Sequence, residues 1–425
     1  MLSLPIETNG MEGNMKRDYL LLTVLWLCRL CALAQGDSIW TLSGKVTDAK
    51  THKAMAHVSV TVRSQGTVTN DDGEFTLKLS QEPAEGVTFT CLGYTTKRLT
   101  ASDWSQKRQK IEVRMTPGTV MLSEIIVQGA DAREIVRKAI ELIPDNYPRQ
   151  PNLLRGFYRE TVRKRSHFIS ISEGIVDVYK SGYQKPGWRD GVAILKGRRL
   201  LSQRPGDTLS VKLQGGPVLP VQFDVVKERD LLFDEKELEH YAFRLATVDK
   251  IGERPQYVVE MKPQHVLDYA LFTGRLFIDQ ATLSFTRVEL SLDMSDTDKV
   301  TAMILRKKPI GLRFAPRELS VYIDYKTDDG VTRINYIRNV IRFRCDWKRK
   351  LFKSNFTVTA EMVVTDRKED EGIRPIKVRD TFNRRDNFYD KVIYFNDPHF
   401  WGRENIIEPT EDLLEGIEKI KKRLR

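Results

Sequence analysis

Leu42-Ser43-Gly44-Lys45-Val46-Thr47-Asp48, Asn70-Asp71-Asp72-Gly73-Glu74-Phe75 and Cys91-Leu92-Gly93-Tyr94 punctuate the stretch whose reading decides the front of the fold. Between these markers apolar residues return at every second position, as Val58, Val60 and Val62 and then as Phe75, Leu77 and Leu79. Ile111, Val113 and Met115 repeat the pattern. Period two, bounded by Gly and Asp, marks half-buried antiparallel strands. Residues 38–116 are therefore predicted to form a seven-stranded β-sandwich. Gly73 after two aspartates is the residue type a tight hairpin needs, because positive φ costs it nothing. Calcium at Asp71 and Asp72 is the rival reading, but two adjacent carboxylates bring no further oxygen ligands in register. No catalytic equipment lies in this unit.

Upstream, Met15-Lys16-Arg17 precedes an apolar run from Tyr19 to Cys28, and Ala32-Leu33-Ala34 stands before Gln35. That is the pattern of a secretory signal peptide over residues 1–34, with translation starting at Met1 or Met15. Arg29 interrupts the run, which is too short to cross ~30 Å of hydrocarbon. Leu27 before Cys28 and Leu30 before Cys31 argue against lipidation. The expected location is outside the cytoplasm: periplasmic, attached peripherally to an outer membrane, or at the cell surface. Cys91 and Cys345 then remain, too few for a disulfide framework. Cys91 ends the apolar strand Val87–Cys91 and reads as an inert, buried thiol. The 69 Lys+Arg against 58 Asp+Glu give a formal charge of +11. The basic residues are scattered, as on a solvated surface. Nucleic acid is not an expected partner of an exported chain; an anionic lipid or acidic polymer fits better.

Downstream, residues 117–146 are predicted to be a linker and a helix. Met121–Val127 reads as an edge strand. Asp131 is a good N-cap with Glu134 three residues on, the reciprocal capping arrangement. Ile135, Val136, Ala139, Ile140 and Ile143 share one face, and Pro144 ends the helix. Residues 147–408 are predicted to be β-rich. Phe168 to Glu173, Leu276 to Leu292 around Asp279-Gln280, and Phe356 to Met362 alternate strictly. Tyr322–Tyr325 and Val331–Phe343 flank Asp329-Gly330, a strong hairpin signal. Long strands with one apolar face need a cover, and a curved antiparallel sheet wrapped around a helix is the economical solution. The helix at Asp131, or one from Leu231 to Tyr241, would fill the hollow. Residues 182–220, dense in Gly and Pro, are expected to be loops. Residues 409–425 read as a docked helix capped by Thr410, with Leu413, Leu414, Ile417, Ile420 and Leu424 on one face. A helix lying on a membrane is its rival. The fold class is thus mainly β: a sandwich, then a larger curved-sheet domain with a few helices.

Gly44–Asp48, Ala56-His57-Val58-Ser59-Val60, Thr69–Phe75 and Leu92-Gly93-Tyr94 together resemble the carboxypeptidase regulatory-like domain, a transthyretin-like sandwich. Met55-Ala56-His57 departs mildly from the small or Pro-Gly residues usual there. The resemblance implies an exported protein of the Bacteroidota, where such domains front many envelope proteins and precede a segment like Leu122–Val127. Gly156–Glu160, Phe400-Trp401 and Asn405–Ile407 resemble envelope proteins in which this domain precedes a helix and a β-rich region. Gly274–Asp279 looks like the strand turn of lipoprotein-carrier half-barrels. Too few residues follow the sandwich for a twenty-two-stranded transporter barrel.

The domain's name invites a test for zinc chemistry. No histidine has Glu three places on, and His-Glu-x-x-His is absent. Glu237-x-x-His240 stands alone. Neither a Gly-x-Ser-x-Gly elbow nor a Gly-x-x-x-x-Gly-Lys loop occurs. No cofactor, metal or catalytic residue is therefore expected. Asp397 and His399 beside Phe400-Trp401 form the most site-like cluster, with a structural cap as the plainer role. Trp188 and Tyr183, in the Gly/Pro-rich loops, are candidates to stack on sugars. The expected function is a non-catalytic envelope protein that binds or scaffolds through its curved sheet. The alternatives are a glycan-binding or adhesive protein, and a hydrolase with an unrecognised carboxylate pair.

Overall fold

The computed structural model describes residues 39–104, 110–118, 131–184, 190–203, 207, 215–304, 310–347, 353–394 and 400–422. The leader, Met121–Val127, Trp188, Asp397, His399 and Leu424 lie outside them.

The seven predicted strands are present: β1 (Trp40–Asp48), β2 (Ser59–Val62), β3 (Gln65–Val68), β4 (Glu74–Leu79), β5 (Val87–Thr90), β6 (Lys97–Leu99) and β7 (Ile111–Met115). They form a sheet ordered β4-β1-β7 against one ordered β3-β2-β5-β6. The alternating valines and Phe75, Leu77 and Phe89 fill the space between. One expectation needs correcting. The Asn70–Gly73 turn does not close a hairpin, because β3 and β4 belong to different sheets. It carries the chain across the sandwich. Asn70 Oδ1 accepts from the amides of Asp72 and Glu74, and Gly73 sits at φ +77°, where an added Cβ would lie 2.5 Å from the Val46 carbonyl.

The larger part is one eleven-stranded sheet. Its strands are β8 (Asn152–Lys164), β9 (His167–Lys180), β10 (Gly191–Leu201), β11 (Tyr241–Ile251), β12 (Arg254–Pro263), β13 (Phe272–Asp279), β14 (Phe285–Leu292), β15 (Leu312–Asp328), β16 (Val331–Trp347), β17 (Ser354–Glu369) and the short β18 (Ile393–Tyr394). The order is β11-β12-β13-β14-β15-β16-β17-β8-β9-β10-β18, antiparallel except for the parallel β10–β18 pair. Asp329 and Gly330, both at positive φ, close the β15–β16 hairpin as expected. The sheet is strongly curved and stays open. Asp224 shows how tightly it curls: its carboxylate lies 2.7 Å from the Tyr325 hydroxyl on β15 and 2.9 Å from Lys180 Nζ on β9. Those strands stand four spacings apart, about 19 Å along a flat sheet. Two side chains meet on one carboxylate only if the sheet bends toward them.

The concave side holds the main core. Ile135, Val136 and Ala139 of the Ala132–Glu141 helix, Val218 and Val221, Leu232 and Phe233, and Val300 pack onto it. Asp131 caps its helix through the Arg133 amide, but Glu134 turns to Arg137 instead of reaching back. That helix ends at Glu141, and Pro144 opens the next short turn, Ile143–Asn146. No single helix spans 231–241. Asp234 caps a separate four-residue turn, Glu235–Leu238, and Tyr241 already begins β11. Residues 191–201 are strand β10 rather than loop: they pair antiparallel with β9, and Arg198 finds a buried partner there in Glu173.

The convex side is covered by the sandwich, by the 400–410 segment and by the tail helix Glu411–Lys421. Trp401, Ile406 and Ile407 pack with Val68 of the sandwich on Phe157 and Tyr336. The tail helix docks through Leu413, Ile417 and Ile420, whereas Leu414 is exposed. Between these covers runs one cross-strand row of alternating charge: Arg244, Glu260, Arg275, Glu289, Tyr322, Arg338, Glu361, Arg159, Glu173, Arg198. At its buried end Arg159 lies 2.8 Å from Glu173 and 3.3 Å from Glu361, and Arg198 lies 2.9 Å from Glu173. Burial alone would raise the Glu173 carboxyl, but the two arginines hold it below the usual range. The Arg159→Met variant leaves two acidic partners facing a thioether, and should lose about 3–5 kcal/mol in urea unfolding. A loss under ~1 kcal/mol would show that these charges do not support the fold.

Candidate functional site

The register places a second row directly behind the charged one, on the concave face. It reads Leu290, Val321, Asn339, Ala360, Glu160, Ser172, Arg199 across β14, β15, β16, β17, β8, β9 and β10. The neighbouring row on one side is Ile337, Met362, Tyr158 and Gly174. Phe388 closes over it, with its ring 5.0 Å from that of Tyr158 and its Cζ 2.7 Å from where a Gly174 Cβ would stand. The row on the other side is Ile341, Val358, Val162 and Ser170, followed by the stacked Phe343 and Phe356. Asn339, Glu160 and Ser172 thus form a polar belt between two largely apolar layers.

All three are buried, at 6%, 5% and 0% exposure. The Tyr158 hydroxyl donates to Glu160 Oε2 at 3.0 Å. Burial outweighs that bond and pushes the Glu160 carboxyl up to about 7. Neither Oδ1 nor Nδ2 of Asn339 has a hydrogen-bond partner, and neither does Ser172 Oγ. A buried polar group left without a partner costs about 1–3 kcal/mol. Their clustering in one row therefore calls for a reason. At the end of the row Arg199 is engaged with the Tyr389 carbonyl.

A second buried polar cluster, around Asp224, is fully committed. Asp224 accepts from Tyr183, Tyr325 and Lys180, and Asp190 also takes Lys180, at 2.9 Å. Burial pushes the Lys227 ammonium down to about 8. Lys227 and Ser181 Oγ are 2.8 Å apart, but the lysine also donates to the Ser181 and Gly182 carbonyls. With three bonds donated it caps the end of β9, and no lone pair is left to act as a base.

Of the residues singled out in the sequence, Tyr183 is buried rather than exposed. Its hydroxyl binds Asp224 at 2.6 Å and its ring stacks on Tyr147, so it offers no platform to a sugar. Trp401 is buried on the convex side, edge-on to Phe157 and under the Arg198 guanidinium at 4.8 Å. Glu237 accepts from the Tyr269 hydroxyl. No group of three or more His, Cys, Asp or Glu suited to a metal occurs among the described residues. Where sandwich and sheet meet, a hollow of about 320 Å³ includes Cys91, Arg287 and Asp324. Arg287 pairs with Asp324 there, and burial pushes the Cys91 thiol up to about 11. The belt itself escaped sequence reading. Its signal is phase: Asn339 occupies an apolar position between Ile337 and Ile341, and Glu160 one between Tyr158 and Val162.

Residues 42–127 match the model of the CarboxypepD_reg-like domain. Among solved structures the chain is similar to a DUF1329 family protein from Desulfovibrio piger, at 10% identity and a TM-score of 0.26, over 58% of this chain and 96% of that one. No curated protein matches.

The Glu160 carboxyl gives a pH signature. It is neutral in the fold up to about pH 7 but ionises near 4.5 once exposed. Between those values the folded chain binds the extra proton, so stability falls as pH rises through the window. The shift corresponds to about 3 kcal/mol. Glu160→Gln should match the wild type near pH 4 and exceed it by up to about 3 kcal/mol at pH 8 in urea unfolding. Equal differences at both pH values would contradict the assignment.

Proposed function

We propose that this chain is a non-catalytic cell-envelope protein whose curved sheet gathers an apolar or amphipathic guest, with the sandwich as its docking or spacing module. The observation that carries the reading is the asymmetry of the sheet. Its convex face is sheathed by the sandwich, the 400–410 segment and the tail helix. Its concave face is aliphatic, with Val176, Leu276, Val288, Ile323, Ile337 and Met362 packed beneath the Ala132–Glu141 helix and its neighbours, and a polar row crosses it in which Asn339 and Ser172 have no side-chain partner. Aliphatic walls around a small number of polar groups are the composition that a site for a small apolar ligand requires. The leader-like pattern over residues 1–34 supports export, and a peripheral place at the outer membrane fits the basic balance of the chain. The test is mass spectrometry of organic extracts from the protein purified out of its own envelope. A lipid or other apolar compound in near-stoichiometric amount is expected. Extracts free of any such compound would overturn the reading.

A further inference from the structure

We infer that the hollow of about 320 Å³ between the sandwich and the large sheet is a site for the carboxylate of a small organic acid, with Arg287 as its anchor. It lies on the convex side, apart from the concave face and independent of what that face holds. Its volume stands at the lower end of the ~300–1,000 Å³ usual for small-molecule sites. The walls are of two kinds. The sandwich contributes Cys91 and Leu92, and Ile251, which bridges to Leu92, lies with them. The sheet contributes polar side chains: Gln256 on β12, Asp279 on β13, Arg287 on β14, and Asp324 and Lys326 on β15.

Arg287 carries the argument. It is 8% exposed, and its guanidinium lies over the rings of Tyr322 and Phe277, at 4.9 and 5.9 Å. Rings hold a guanidinium in place while leaving its N–H edges open. Of its five N–H donors one, on Nη2, meets an acceptor among the described residues: Asp324 Oδ1, at 3.2 Å. Nε has none. Donors left unmatched at a buried cation are costly, so an acceptor belongs beside them. The buried carboxylates of the hollow are spent elsewhere. Asp279 already accepts from Arg254, Gln256, the Ala281 and Thr282 amides and the Thr282 hydroxyl. Asp324 also accepts from Asn335 at 3.1 Å, and burial lifts its carboxyl above the usual range despite Arg287. Of that pair the arginine is therefore the less compensated charge. Lys326 is held by Thr61 and Asp328, at 2.9 Å each. Glu253, the remaining carboxylate, is exposed to water. Inside the hollow unused donors exceed unused acceptors, so the guest must bring acceptors. A carboxylate brings two, with the spacing of the guanidinium fork. Cys91, Leu92 and Ile251 leave the other wall to a short apolar body, and one molecule then touches both sandwich and sheet.

The test uses the purified full chain with benzoate as the probe and benzamide as its uncharged counterpart. Binding is read by calorimetric titration, and occupancy of the hollow by N-ethylmaleimide labelling of Cys91. Peptide masses score the other free thiol, Cys345, separately. Benzoate should bind at least about tenfold more tightly than benzamide. It should slow Cys91 labelling several-fold and leave Cys345 labelling unchanged. Arg287→Gln should abolish both effects. Arg287→Lys keeps the charge without the fork, serves where Arg287→Gln does not fold, and should weaken benzoate about tenfold. An arginine that only pairs with Asp324 predicts no protection of Cys91 by either probe, and that result would overturn the inference. Heat of binding without protection of Cys91 would put benzoate on the basic surface and overturn it equally. So would equal protection by benzamide, or benzoate binding unchanged in Arg287→Lys. None of these outcomes touches the concave-face reading, which the organic extracts test.

Discussion

The buried Arg159–Glu173 pair is the interaction on which the rest of the structure depends. Arg159 and Glu173 are directly opposite residues of β8 and β9, and each has a second partner, Glu361 on β17 and Arg198 on β10. Four strands are thereby locked in register by charges that tolerate no slip. A shift of one residue would turn every side chain of a strand to the other face. It would bury unpaired arginines against the concave core. Desolvating such ions is costly, and their attraction offsets the cost only when each has its partner in good geometry. The ladder is therefore better understood as a device for specifying register than as a large source of stability.

The same row organises the convex face. Arg338 continues the ladder but takes its partner from the sandwich, at 3.1 Å from Asp71. Asp72, the next residue, accepts the Glu411 amide at the start of the tail helix, where Thr410 also caps. Asn70 donates to the Pro409 carbonyl. A turn that the sequence marks only as a turn thus joins three parts of the molecule: the sandwich, the large sheet and the tail. Arg159 extends the arrangement by donating to the Ile407 carbonyl. On the other face the Asn339 row keeps Asn339 Oδ1 and Nδ2 and Ser172 Oγ without partners.

Alternation made much of this legible. In β2, β4, β7, β16 and β17 one face is apolar and the other polar, and period two shows through. Asp329-Gly330 announced its hairpin because both residues accept positive φ. β10 stayed hidden for a physical reason. Arg198 looks solvent-bound, and it is Glu173, on another strand, whose carboxylate offsets its charge once buried. Tyr183 misled in the opposite way. Gly and Pro around it suggested an exposed loop, but Asp224, 41 residues on, draws its hydroxyl inward. Glu160 and Asn339 were written in the sequence as polar residues in an apolar phase. Their meaning needed the register, which alone places them in one row.

The two faces also respond oppositely to acid. His57 of the sandwich stacks on Tyr336 and accepts from Arg338 at 2.9 Å, a bond only the neutral imidazole can make. Burial and the Arg338 charge lower the imidazole to about 4, with Asp71 opposing them. Unfolded, the imidazole takes its proton near 6.5, so this contact loses stability as pH falls from about 6.5 toward 4. Glu160, on the concave face, loses stability as pH rises from about 4.5 to 7. Over the shared window the two slopes oppose each other. A protein whose total stability changes little with pH there can still carry two faces that are each sensitive. Acid loosens the seat of the sandwich on the sheet, while base charges the belt that the concave face keeps neutral.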